Sequence, residues 1–574
     1  MIKQPLTHLF SSLALTSLLF ADEPVLIPEA KGVILTGDVH MPALHVEGVA
    51  VVDLELPGSR EALEERLIPL FMEKPLTAED ITEIKREIIR FYRDYNRSII
   101  AVQIPEQDVT DGVLKFLVTE GRVGEITVEN NHYFSTKLIR NYIKLQPGEL
   151  IDDAVLLNDL AFINRNPFRH ADLVYSPGKQ AGTTNLEVYV KDHFPVRVYV
   201  GSDNTGLKAT DRTRLYTGFN WGKVLGLDSI MSFQYTTAPN THKFKGYTLS
   251  LTNLLPWENV LLVFGGYSET HVCLENKKNP SLAPKNNPDE TATSVNKGVA
   301  KTDGKTAQAS LRYGIPIKPK PYLLHEFNIG YDFKYTNNSY DFQEEEPKMG
   351  ENVNLTQFVF QYNFGYQKGI QKAGLDIQLF VSPFTWIPLQ SKNAFHSLSP
   401  YAKTHYAYVQ LATDYAVQLP YNFSLKLFLE TQISSAPLLP SEQFGLGGYD
   451  TVRGYNERQV NSDEGILFST ELWSPTFSPS FGLLNDGLQM LLFFDYGLGH
   501  DIKKIYKIKQ TQYLMGIGPG LRYAIGSNLS CRLDFGFKLH HFNPLSKSDK
   551  DSGKARKSYI GGIGMANFGI VASY

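Results

Sequence analysis

One arginine set among glycines carries the sharpest chemical signal in the chain. Residues Gln443 to Asn456 read QFGLGGYDTVRGYN. Gly445, Gly447 and Gly448 permit the positive φ that a tight reversal needs, and Gly454 leaves space beside Arg453. A planar guanidinium in such a setting suits a bidentate carboxylate partner. A candidate follows in Phe493-Phe-Asp-Tyr-Gly497. Strand alternation there puts Phe493, Asp495 and Gly497 on one face and Phe494 and Tyr496 on the other. Glu471, on the stretch between, is a second candidate partner. The chemistry is ion pairing rather than bond making. Arg453, Gly454, Tyr455, Phe493, Asp495 and Gly497 are expected to form a latch. The competing reading is a solvated arginine in a glycine-rich surface loop, and the surrounding elements must decide.

Other reactive constellations are not found. The 14 histidines, including His40, His45, His540 and His541, lack ligand spacings such as HExxH. There is no GxSxG elbow and no P-loop, so no catalytic residue, metal site or cofactor is expected. With 56 basic against 60 acidic residues, charge gives no reason to expect nucleic acid as a partner. The two cysteines, Cys273 and Cys531, form no CxxC pair, and Cys531 reads as a small hydrophobe on a strand.

The stretches flanking the loop alternate apolar and polar residues: Phe423 to Glu430 before it, Ile466 to Trp473 after it. The same texture begins at Pro195. In Gln357 to Tyr366, residues Phe358, Phe360, Tyr362, Phe364 and Tyr366 share one face. In Leu529 to Leu539, Arg532, Asp534 and Lys538 take the polar face. Apolar outside and charged inside is the pattern of a transmembrane antiparallel β-barrel. We count about 16 such segments, an even number as single-chain bacterial barrels have. They start near residues 195, 213, 228, 243, 259, 306, 322, 354, 371, 401, 421, 464, 487, 511, 528 and 560. Short and long connections alternate, the longest running from Val272 to Thr306, and the Arg453 loop falls among the long outer ones.

Residues 1–21 read as a signal peptide, with Lys3 as the basic start, Leu9 to Phe20 as the apolar run and Ala21 at its end. No later stretch holds about 18 consecutive apolar residues, so helical spans are not expected. A short segment, 22–45, precedes two α/β units at 46–122 and 123–193, with the barrel at 194–574. In the first unit Thr77 and Asp80 fit a capping box, and Ile81, Ile84, Ile88, Ile89 and Tyr92 mark one helical face. In the second, Ser135 reads as an N-cap before a helix. Both follow one order of strand, helix, helix and paired strands over about 75 residues each.

Tyr92, Gln103-Ile-Pro-Glu-Gln-Asp-Val-Thr-Asp-Gly112 and Val118-Thr-Glu-Gly121 resemble the first POTRA domain of the ShlB/FhaC/HecB transporters, the TpsB partners of two-partner secretion. Within these stretches lie the motif residues Pro105, Gln107, Gly112, Glu120 and Gly121. Asn164-Arg-Asn-Pro-Phe168, Pro177-Gly178 and Gly182-Thr-Thr resemble the second POTRA domain. QFGLGGYDTVRGY and FFDYG look like the two barrel signatures of that family, in whose wider BamA-like superfamily the arginine loop folds into the lumen and meets the aspartate. The chain end, with Gly569 and Tyr574, resembles the signal read by the barrel-assembly machinery.

The resemblance implies an outer-membrane translocator that exports a haemolysin- or adhesin-like exoprotein without ATP or cofactor, its POTRA domains in the periplasm capturing the client. Periplasmic chaperones, the assembly machinery and outer-membrane lipid are the further partners implied. A BamA-like insertase is the alternative, against which two POTRA units argue. Relatives usually carry an N-terminal helix that plugs the barrel. Here the stretch from Asp22 to Lys31, before a strand-like start at Gly32, leaves no room for it, so plugging by such a helix is not expected.

Overall fold

A computed structural model describes residues 24–38, 45–275, 299–317, 322–342, 352–399, 401–504, 509–540 and 563–574. The expected signal peptide, His40 and His541 lie outside them. Packing divides the chain into two compact units. One holds Met1–Thr127, Lys144–Leu157 and Leu173–Val188, and the other Val128–Ile143, Asn158–Asp172 and Tyr189–Tyr574.

The first α/β unit contains β1 (Gly32–Thr36), β2 (Gly48–Val52), α1 (Arg60–Phe71), α2 (Ala78–Asp94), β3 (Ile100–Gln103) and β4 (Val113–Glu120). Helix α2 starts where its sequence says it should. Thr77 and Asp80 close a capping box, the Thr77 N–H donating to Asp80 Oδ2 at 2.8 Å and the Asp80 N–H to Thr77 Oγ1 at 3.3 Å. Its buried face, Ile81, Ile84, Ile88, Phe91 and Tyr92, covers a sheet of order β2-β1-β4-β3. Strand β1 is central, runs parallel to both neighbours and is buried at all five positions. The 22–45 segment is therefore not separate from this unit, contrary to expectation. A central parallel strand is a continuous apolar run, and GVILT carries no mark of which sheet it joins.

The second α/β unit contains β5 (Arg122–Glu129), α3 (Thr136–Tyr142), α4 (Asp153–Ile163), β6 (Arg169–Pro177) and β7 (Thr183–Asp192), its sheet ordered β5-β7-β6. Ser135 caps α3, its Oγ accepting the Leu138 N–H at 3.3 Å. The Asp192 carboxylate accepts three successive N–H groups, from His132, Tyr133 and Phe134, at 2.7–3.0 Å. Parts of this unit pack with the barrel chain through Asp228, in the turn before the third barrel strand. The buried Arg169 guanidinium donates to Asp228 Oδ1 at 3.0 Å and Oδ2 at 2.6 Å and lies over the Phe134 ring. Asn166 Nδ2 and the Tyr142 hydroxyl complete the carboxylate's partners at 2.8 and 2.9 Å. An expected boundary at residue 193 thus cuts through a packed joint.

Barrel strands β8 (Val196–Asp203), β9 (Arg214–Trp221), β10 (Ser229–Thr237), β11 (Phe244–Leu254), β12 (Val260–Glu275), β13 (Val299–Pro316), β14 (Leu323–Phe342), β15 (Asn352–Lys368) and β16 (Gln371–Ser382) follow in order. The loop after β16 holds helix α5 (Lys392–Leu398), then come β17 (Tyr406–Gln418) and β18 (Ser424–Ser434). A second loop holds the small hairpin β19 (Phe444–Leu446) and β20 (Val460–Ser462). Strands β21 (Glu464–Trp473), β22 (Asp486–His500), β23 (Thr511–Ile525), β24 (Leu529–Lys538) and β25 (Gly564–Ser573) complete the wall. Among the described residues sixteen strands close antiparallel into one barrel, β25 pairing with β8. That closing ladder is short, with register partners only from Gly569↔Asp203 to Ser573↔Tyr199. Asn204 lengthens it with side-chain bonds to Ala566 O and the Phe568 N–H.

Strand starts follow the aromatic alternation closely. The main differences are β13, expected near 306 and beginning at Val299, and β17, expected near 401 and beginning at Tyr406. Strands β12 and β13 run far into the stretch expected to be loop, because ladder hydrogen bonds continue there without the aromatic faces that mark a membrane span. Helix α5 lies in a segment expected to be loop; Ser391 caps it and Phe395 is fully buried.

Candidate functional site: a loop fastened to the inner barrel wall

Between β18 and β21 the chain turns inward and lays its tip on the inner faces of β21 to β24. The Arg453 and Asp495 side chains are 3% and 0% exposed, which excludes a solvated arginine. Arg453 Nε donates to Asp495 Oδ2 and Nη2 to Oδ1, both at 2.7 Å, and the Arg453 backbone N–H adds a third bond at 3.0 Å. Glu471 Oε1 accepts from Nη1 at 2.7 Å, so both candidate carboxylates are used at once. Ser469 Oγ steadies Asp495 Oδ1 at 2.7 Å, and Trp473 Nε1 steadies Glu471 Oε2 at 2.9 Å. Charge-assisted bonds in this fork geometry satisfy a guanidinium that would otherwise bear several kcal/mol of desolvation.

Each inward residue of Phe493-Phe-Asp-Tyr-Gly497 has a distinct part. The guanidinium carbon sits 3.5 Å from the Phe493 ring centroid. Asp495 takes the fork. Gly497 makes room, since a Cβ there would stand 2.8 Å from Val452 and 2.9 Å from Leu446. Tyr455, 1% exposed, donates its hydroxyl to the carbonyls of Met515 and His540, tying the tip to β23 and the loop after β24. Gly454 has φ +99, and an added Cβ would meet the Gly536 carbonyl oxygen at 2.8 Å. Its role is a close approach of loop backbone to barrel wall, rather than space beside the guanidinium. Gly447 and Gly448 adopt positive φ as expected, whereas Gly445 lies in β19 and does not.

The wall supplies two features that sequence reasoning did not assign to the site. One is a glycine floor: a Cβ on Gly516 would strike the Arg453 carbonyl at 2.2 Å, and one on Gly536 would strike the Gly454 nitrogen at 2.3 Å. The alternating glycines Gly516, Gly518 and Gly520 were the available signal. The other is Asp534, 0% exposed, which accepts from Arg522 and Arg532 at 2.7–3.1 Å and lies 3.9 Å from Arg453 Nη1. Arg532 reaches on to the loop, donating to Tyr449 O and Asp450 Oδ1. Period two shows that Arg532 and Asp534 face inward, but not which loop residues stand opposite them.

The motif residues of the first α/β unit are spread over two places within it. Gln107 pairs with the Lys115 backbone like a short strand and donates weakly to Pro105 O. Gly112, at φ +74, accepts the Lys31 N–H and closes within 2.5 Å of the Glu29 carbonyl if given a Cβ. Glu120 and Gly121 end β4. Burial pushes the Glu120 carboxyl up against the pull of Arg97 and Arg122, and Gly121 bonds Ile99 O and the Ile151 N–H. At the chain end, Tyr574 is 93% exposed and exchanges backbone bonds with Val198, while Gly569 lies under the Tyr449 hydroxyl.

A barrel wall with an inner strap, joined to small α/β units, restrains a segment of chain inside a polar bore. That defines a transmembrane β-barrel with a loop fastened inside it. The description "Haemolysin secretion/activation protein ShlB/FhaC/HecB" matches residues 182–523, and the chain belongs to that family. A POTRA description, "Surface antigen variable number repeat", matches residues 122–192. The heme/hemopexin transporter protein HuxB of Haemophilus influenzae is 25% identical over 519 residues, covering 84% of this chain and 80% of HuxB. The fold is similar to that of CdiB from Escherichia coli, with a TM-score of 0.74 at 15% identity over 98% of this chain and 94% of CdiB. CdiB from Acinetobacter baumannii gives 0.63 at 14% identity, over 95% and 90% of the two chains. The chain is thus an outer-membrane transporter that exports a partner protein, with its POTRA domains in the periplasm, and not an enzyme.

Proposed function

We propose that the POTRA domains capture an unfolded haemolysin- or adhesin-like exoprotein and that the barrel passes it outward once the Arg453 loop lets go of Asp495. The buried Arg453–Asp495 pair is the observation that carries this reading: a segment held so firmly inside a bore closes it, and closure has a purpose only if it is reversible. Beside the loop lies a cavity of about 990 Å³, lined by Gln234, Thr248, Gln308, Lys334 and Ser441 among others, into which a displaced loop could move. Capture by strand addition suits the sheet edges β2 and β3 of the first domain. Folding of the client outside supplies direction, so neither ATP nor cofactor is needed. Chaperones deliver the unfolded barrel, the assembly machinery reads the Gly569–Tyr574 end, and lipid packs the aromatic outer faces.

The test is a secretion assay in cells carrying this chain together with a candidate large exoprotein. Export that depends on this chain, and falls when Arg453 is replaced, is the expected result. Normal export without the chain, with other outer-membrane proteins failing to insert, would instead identify an insertase.

A further inference from the structure

The tip is not the loop's only fastening. Glu442, eight residues past β18, has a side chain with 0% exposure. Both of its oxygens accept from Lys334 Nζ, at 2.8 and 2.9 Å. The Tyr408 hydroxyl donates at 2.8 Å and Gln357 Nε2 at 3.1 Å. Lys334, Gln357 and Tyr408 stand on β14, β15 and β17, so three strands each give one donor group. Gln357 is itself held, accepting from the Tyr406 hydroxyl at 2.9 Å and donating to Asp332 at 3.1 Å. Arg312 neutralises Asp332 at 2.7 Å.

The neck of the loop is drawn shut beside this node. A single amide, Gln432 Nε2 on β18, donates to both the Glu442 carbonyl and the Asp463 carbonyl, at 3.0 and 2.9 Å. Leu438 and Leu439 pack with Phe395 of α5, Leu355 of β15 and Tyr406 in one buried apolar cluster. Leu439 and Ser441 also border the large cavity. The root of the loop thus joins the α5 cluster on one side and the large cavity on the other.

We infer that Glu442 is a second anchor of the loop, a positioning residue set on the β14–β17 wall while Arg453 holds the tip on the β21–β24 wall. The loop is a strap with two fastenings that open independently, and the bore clears only when both have let go. A buried carboxylate with a lysine and two neutral donors is stable while all three stay in place, and loses its reason to remain buried when one leaves. This rests on the reading of the loop as a reversible closure, but its test does not use secretion.

Two reporters distinguish the fastenings, in full-length protein whose Cys273 and Cys531 are replaced by serine. Leu439→Cys reports the root and Val452→Cys the tip; both side chains are buried, at 1% and 0% exposure. A water-soluble maleimide measures opening. Glu442→Gln should raise labelling at 439 about tenfold or more and leave 452 protected. Arg453→Ala should do the reverse. Lys334→Met must match Glu442→Gln, and heat-modifiable migration on gels checks that each barrel is folded. Unchanged protection of residue 439 in both root variants, or equal opening of both sites in either variant, would overturn the two-anchor strap. Failure of Arg453→Ala to affect export would count against the closure reading alone.

Discussion

Removing the Arg453 side chain leaves Asp495 buried with only the Ser469 hydroxyl and a backbone N–H for company. Breaking one side of such a pair costs about 3–5 kcal/mol, and here that cost falls on the seated loop rather than on the strand ladders. Arg453→Ala and Asp495→Ala should each give a folded, inserted barrel with a looser loop tip, weaker export and altered conductance. The double variant should add little to either single one, because coupled residues are non-additive. Secretion and single-channel recordings on all three measure this, and fully additive losses would sink the latch. The pair itself was readable in the sequence, since a glycine-framed arginine and an inward aspartate define complementary shapes. The Asp534 node and Glu442 were not, because period two tells which way a strand residue points and nothing about what a loop brings opposite it.

At the scale of elements, the strap is seated by backbone against backbone. Gly536→Val should lift the tip off β24 although every charged residue remains, as its Cβ would stand 2.3 Å from the Gly454 nitrogen. Export should fall as far as in Arg453→Ala, and maleimide labelling of Val452→Cys should rise; a protected residue 452 would show that the floor is not needed. The segment before α3 makes a prediction of a different kind. Burial pushes the Asp192 carboxyl up, but the N–H groups of Phe134, His132 and Tyr133 outweigh it and hold it below the usual range. A depressed folded pKa adds stability that is present above the unfolded value of about 3.9 and lost as pH falls through the folded one. The protection of the amides at residues 132–134, taken relative to intrinsic exchange at each pH, should therefore fall on acidification below that range, and Asp192→Asn should abolish that fall. Caps such as Thr77 and Ser135 were legible in the sequence because they are local. The central place of β1 and the Arg169–Asp228 joint were not, because each depends on partners far along the chain.

For the whole molecule, the strap and the POTRA domains make separable contributions. Protein lacking residues 24–193 should still insert, since its closing strands are intact, yet stop exporting the client; normal export would reduce those domains to braces. The purified full chain in planar bilayers should conduct intermittently, because a large cavity remains beside a loop that can leave its seat. Steady wide conductance would argue for an open porin. Barrel class and strand order were legible from alternation alone, whereas helix α5 and its apolar cluster were hidden in a segment with no period. The short ladder between β25 and β8 also fixes an order in time. The wall cannot shut until the final strand arrives, and pairing across such a separation is slow to find. Until then β8 and β24 both offer bare edges to any neighbouring strand. A chain stopped short of Ile563 would never lose those edges, so a lesion confined to its last strand should turn the whole wall into a substrate for aggregation and proteolysis.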